Sequence, residues 1–191
     1  MRQQILEAAK ANLGRGGYEH LNFGVIAKSL DTTRANIHYH FKNKEGLALE
    51  ATRNFIESEL AAMKKNMAKH PGDFPAAMEE FERVHWRSIR KADFEGGLVC
   101  DHLLLEPDLP DDLGILVADF FDQVYQTLLK HVRESQKAGT LRQDISAQQF
   151  TAKTLAMAHG MKHMAFVSRD LKKYQKRYKG ALTHWVRSCQ P

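Results

Sequence analysis

Apolar residues return every three or four positions along nearly the whole chain, and no stretch alternates strictly between apolar and polar. That period gathers an apolar stripe on one side of an α-helix and scatters it on a strand, so it predicts an all-α protein. Turn residues cut the pattern into segments. The first runs from Arg2 to Leu13, with Ile5, Leu6, Ala8, Ala9 and Leu13 available to one face and Gly14, Gly16 and Gly17 closing it. Asn22 is a good N-cap for a short second helix through Leu30, with Phe23, Ile26, Ala27 and Leu30 inward. Asp31-Thr32 makes a turn, and Thr33 caps a third helix through about His40, anchored by Ile37 and Phe41. Asn43 caps a long fourth helix, Lys44 to about Lys69, which His70-Pro71-Gly72 stops.

Further along, Asp73 opens a fifth helix through Arg90 with Phe74, Met78, Phe81, Val84 and Ile89 inward. Gly96-Gly97 precedes an apolar stretch from Leu98 to Leu105. A helix from Asp112 to Ala138 ends at Gly139, and the capping box Ser146-Ala-Gln-Gln149 opens another to about Ser168. A final helix covers Leu171 to Arg187. The Asp112–Ala138 segment carries an apolar stripe wider than one buried face requires. The helix after it sets Ala152, Ala156, Ala158, Gly160 and Ala165 among Phe150, Leu155, Met161, Met164 and Val167, and small residues permit close helix approach. The pair predicts a four-helix dimer interface; the competing reading is a monomer whose core takes up both stripes.

Hydrophobic residues make up 43% of the 191 and charged residues 27%, the balance of an ordinary folded soluble protein. A net charge of +5 suits a polyanionic partner, though many basic proteins bind no nucleic acid. Within the first fifty residues Lys and Arg exceed Asp and Glu by only two, so any DNA footprint must come from arrangement. Cys100 and Cys189 have no spacing of a disulfide framework or zinc site, which points to a reducing cytoplasm. No leader pattern or membrane-length apolar run is evident, so no membrane partner is expected.

Chemistry concentrates between residues 33 and 44. Ile37 and Phe41 are four apart and share one helical face, which leaves the other face to Thr33, Arg34, Ala35, Asn36, His38, Tyr39 and His40. Such a helix suits the major groove of double-stranded DNA. Arg34 can fork onto guanine or a phosphate, Asn36 can read adenine, and the methyl of Thr33 or Ala35 can meet a thymine methyl. Tyr39 and His40 suit phosphates, as does Lys44, whose ammonium sits at a helix N-terminus. On this reading Arg34→Ala relaxes discrimination at one base pair, and Lys44→Ala weakens binding to all sequences.

In these residues the chain resembles the tetracycline-repressor-like (TetR) family of bacterial regulators. The resemblance is carried by Ile5-Leu6-Glu7-Ala8-Ala9, Gly17-Tyr18, Ile26-Ala27, Thr33 through Phe41, and Asn43-Lys44-Glu45-Gly46-Leu47. Three positions depart from the family's pattern: His38 replaces an aromatic residue (usually Tyr), Asp31 a turn glycine, and Gly24 a commonly charged residue. The resemblance implies a helix-turn-helix DNA-binding domain over residues 1–46 and a helical ligand-binding and dimerisation domain over 47–191. It further implies a homodimer on a pseudo-palindromic operator, in most members a repressor, released when a small-molecule effector alters the spacing of the two heads. No cofactor and no enzymatic activity follow from it.

An effector pocket is expected among the central helices, with Phe81, His85, Trp86, Cys100, Leu103 and Phe120 as candidate lining residues. Cys100 reads as a small buried apolar residue ahead of a sensor thiol, because Asp101 beside it opposes the lowered pKa that a reactive thiol needs. The alternative from another class is a helical metal-dependent enzyme using His159 and His163, which are four apart as two ligands would be. The sequence supplies no evident third ligand, so no metal site is assigned. Lys172, Lys173, Lys176, Arg177 and Lys179 read as a solvated helix face.

Overall fold

Polar side chains start the helices by satisfying amides that have no partner within the helix. Asn22 Oδ1 accepts the backbone N–H of Gly24 at 2.8 Å and of Val25 at 3.2 Å. Thr33 Oγ1 accepts that of Asn36 at 3.1 Å, and Asn43 Oδ1 that of Gly46 at 2.7 Å. Asp73 and Ser146 do the same for Ala76 and Gln149. The computed structural model describes residues 1–90, 99–168 and 171–191, excepting the side chains at 88–90, 166 and 171. The described residues form α1 (Arg2–Gly16), α2 (Phe23–Ser29), α3 (Arg34–Phe41), α4 (Lys44–Lys69), α5 (Phe74–Arg90), α6 (Val99–Leu104), α7 (Asp111–Ala138), α8 (Ala147–Val167), α9 (Leu171–Tyr178) and α10 (Ala181–Arg187). No strand occurs among them, and none of these helices is long and apolar enough to cross a membrane.

The chain divides into two compact units, Met1–Glu59 with Phe94–Phe121 and Leu60–Asp93 with Asp122–Pro191. In the first, α1 packs on α2, α3 and α6. Its core holds Ile5, Leu13, Ile26, Ile37, Leu47 and Leu103, all fully buried. In the second, α10 packs on α5 and α8, and α9 on α8. Phe74 is buried there, its ring edge-on to Phe150 at 5.8 Å, while its backbone N–H donates to Ser135 Oγ at 2.8 Å.

Several expectations need correction. α1 continues through Gly14, which is buried, and stops only at Gly17, whose N–H closes on the Leu13 carbonyl at 2.8 Å. Val84 was expected inward but is 48% exposed. The buried face of α5 instead runs through Met78, Glu82, His85 and Trp86. Two polar residues therefore set the phase of that helix, and a count of apolar positions misses them. The final helix is two, α9 and α10, parted at Gly180 in left-handed backbone (φ +85°). Ile89, Gly96, Gly97 and Leu98 lie outside what is described.

Candidate nucleic-acid interface

α3 buries Ile37 and Phe41 and turns its remaining side chains outward, as their spacing requires. Thr33, Arg34, Ala35, His38 and Tyr39 are exposed, Tyr39 by 83%; Asn36, His40 and Lys44 are partly covered. The structure thus gathers all eight residues nominated from sequence on α3 and its flanks.

Local bonds set their poses. Thr33 gives its hydroxyl oxygen to the cap, which leaves its methyl for apolar contact. Asn36 Nδ2 donates to Thr32 Oγ1 at 2.9 Å, tying the amide to the turn before the helix. That turn runs through Asp31 at φ +49°, a left-handed conformation that Asp tolerates better than most residues. His38 Nδ1 lies 2.8 Å from the Lys42 carbonyl, and its ring sits 4.7 Å from that of Phe23. His38 therefore closes the C-terminal turn of α3 and braces it on α2. Tyr39 meets the His40 ring edge-on at 5.3 Å.

The Lys44 ammonium rests 4.4 Å above the Tyr18 ring, a cation–π contact that fixes a flexible chain at the start of α4. Burial, then the nearby Glu45, Glu19 and Glu106 carboxylates, push the Tyr18 hydroxyl above its ordinary pKa, so it stays a neutral donor. Tyr18 belongs to the residues that carry the resemblance, but no spacing rule pairs it with Lys44, because the pairing is tertiary. Lys28 in the last turn of α2 and Lys42 at the end of α3 are exposed cations that the spacing argument does not single out.

The effector candidates fall in both units. In the first, Cys100 and Leu103 are buried on α6 and Phe120 is buried on α7. In the second, Phe81 stacks on His85 at 6.3 Å, and Trp86 meets both His85 and Tyr174. Between them Glu82, 3% exposed, accepts from Trp86 Nε1 at 3.0 Å, Thr183 N at 2.9 Å, Thr183 Oγ1 at 2.6 Å and Gly180 N. Burial pushes its carboxyl up, but these bonds outweigh burial and hold the pKa below the ordinary range. Burial and the Lys162 charge pull His85 down to about 4, against Glu82. A cleft of about 240 Å³ in the same unit is lined by residues not nominated from sequence, among them Lys64, Met67, Lys130 and His131. His159 and His163 lie partly exposed on α8, and among the described residues no three His, Cys, Asp or Glu side chains stand where they could hold a metal.

Residues 5–51 match the family model described as bacterial regulatory proteins, tetR family. The chain is 26% identical over 142 residues to the HTH-type transcriptional regulator AcrR of Shigella flexneri, covering 70% of this chain and 65% of AcrR, just under two thirds of that regulator. In fold it is similar to a TetR-family transcriptional regulator from Agrobacterium tumefaciens (TM-score 0.84, 22% identity, 96% of each chain). It is also similar to the transcriptional regulator FadR from Bacillus subtilis in complex with stearoyl-CoA (TM-score 0.75, 16% identity, 100% of each chain). The matched segment holds the three helices, the caps and the exposed face described above, and the likeness of fold runs through the rest. Residues 5–51 therefore carry a DNA-binding domain of the tetR family of bacterial regulatory proteins, on a chain whose fold throughout is similar to that of solved TetR-family regulators.

Proposed function

We propose that the protein is a repressor that binds a pseudo-palindromic operator as a homodimer and leaves it when a small molecule enters its helical body. The observation that carries this reading is the polar outer face of α3, from Thr33 to His40, on a helix pinned by Ile37 and Phe41. Two such heads fit successive major grooves when they stand roughly 34–36 Å apart, so a small change of spacing releases both. The division of labour follows the sequence: residues 1–46 read DNA, and 47–191 dimerise and sense. Such a chain works in the cytoplasm, where bacterial DNA lies.

Dimerisation is supported by what α8 leaves uncovered. Ala152, Ala156, Gly160, Met164 and Val167 are exposed along it, Val167 by 65%. An apolar, small-residue face of this kind is suited to a second helix pair. A small-molecule effector is supported by the stearoyl-CoA complex of the FadR neighbour. His85 and Trp86, polar groups buried among aromatic rings, are the residues we assign to effector recognition.

Selection from random duplexes at fixed salt tests the reading. The expected product is a two-fold symmetric sequence with half-sites one helical turn, or a multiple, apart. It should be bound at least about a thousandfold more tightly than random DNA. Equal affinity for selected and random duplexes would remove the regulator function.

A further inference from the structure

Arg34 opens α3, where an arginine that reads guanine projects its fork along the groove-facing side of the recognition helix. Here the guanidinium lies elsewhere. An alanine Cβ at position 24, in the first turn of α2, would stand 2.4 Å from Arg34 Nη2 and 3.0 Å from both Cζ and Nε. Three atoms of the planar group therefore cover the bare Cα of Gly24, and any side chain there would displace them. In a helix-turn-helix the first helix of the motif crosses the sugar–phosphate backbone while the second enters the groove. A guanidinium laid on α2 is therefore directed to the strand's edge, away from the base pairs.

We infer that Gly24 is the positioning residue that seats Arg34 as a phosphate ligand, in place of the guanine contact its position on α3 suggests. The inference rests on the DNA-reading function proposed above. Asn22 caps α2 through the backbone amides of Gly24 and Val25, which an alanine at position 24 keeps, so Gly24 can change without loss of that cap. Within a helix, alanine is favoured over glycine by about 1 kcal/mol, so Gly24→Ala should fold at least as well as the wild type. Its one steric demand falls on the far end of a flexible side chain.

The test compares wild type, Gly24→Ala, Arg34→Ala and the double variant on the duplex the wild type selects. Affinity is measured across a salt series and against that duplex with each base pair replaced in turn. For Arg34→Ala the slope of log K against log salt should fall by about 0.9 per head, with about an eightfold loss per head near 0.1 M salt. Its ranking of base replacements should stay that of the wild type. Gly24→Ala should lose slope in the same direction, and adding it to Arg34→Ala should change nothing further. The inference is overturned if Arg34→Ala keeps its slope and loses preference at one base pair. It is overturned equally if Gly24→Ala leaves the slope untouched, or weakens binding as much without Arg34 as with it. A wild type that prefers no duplex would remove the DNA-reading function itself, and the assignment with it; the other outcomes remove only the assignment.

Discussion

α3 and α5 both hold polar side chains in specific bonds, and they put them to opposite uses. On α3 the polar groups face outward, held by short local bonds such as Asn36 to Thr32 and His38 to Lys42. On α5 Glu82 and His85 face inward, and Glu82 is bound by groups about a hundred residues away. The lesson is about what each helix risks when mutated. Removing an outward group that caps no helix leaves water to replace it, so function changes while stability barely moves. Removing an inward one strands its partners in the core, so stability falls.

The largest effect should come from Glu82→Ala. It leaves Trp86 Nε1 and the Gly180 and Thr183 amides without their acceptor, for an expected loss of about 3 kcal/mol in urea unfolding. The folded fraction should bind DNA as before. Next comes acid. Because His85 is held neutral, with its pKa near 4 against an unfolded value of 6.5, the folded protein refuses a proton that the unfolded chain accepts. Its contribution is whole above pH 6.5 and is lost as pH falls towards 4. His85→Leu should flatten that part of the urea-midpoint curve; an unchanged curve would show that other groups carry it. Glu80, held near pKa 2 by its hydrogen bond to His70 and by Lys69 and Arg83, adds a separate loss only below about pH 4.5.

Smaller changes sharpen the other side. Thr33→Ala removes a cap and should cost about 1 kcal/mol. Tyr39→Ala should shift stability by no more than about 0.5 kcal/mol, since the ring is 83% exposed, yet weaken operator binding measurably. A Tyr39→Ala variant that unfolds readily but binds normally would invert the contrast.

The same contrast explains what could be read from sequence. Ile37 and Phe41 announce the inner face of α3 by their spacing, and Asn22, Thr33 and Asn43 announce the helix starts, because both signals lie within a few residues. The break at Gly180 was not legible: Glu82, which caps α10 there, lies 98 residues earlier. Val84 was misplaced for the same reason, since polar residues fix the inward phase of α5. Within the candidate interface, spacing names the residues of the outer face but not their poses. The Tyr18–Lys44 stack and the seat of Arg34 on Gly24 arise from helices meeting in space.

The central claim, that the outer face of α3 reads DNA, is tested most directly by hydrogen exchange with and without the selected duplex. Slowed exchange should concentrate between about residues 22 and 47, spanning α2, α3 and the start of α4. Protection confined to residues beyond 60, or none at a duplex concentration that saturates binding, would contradict it.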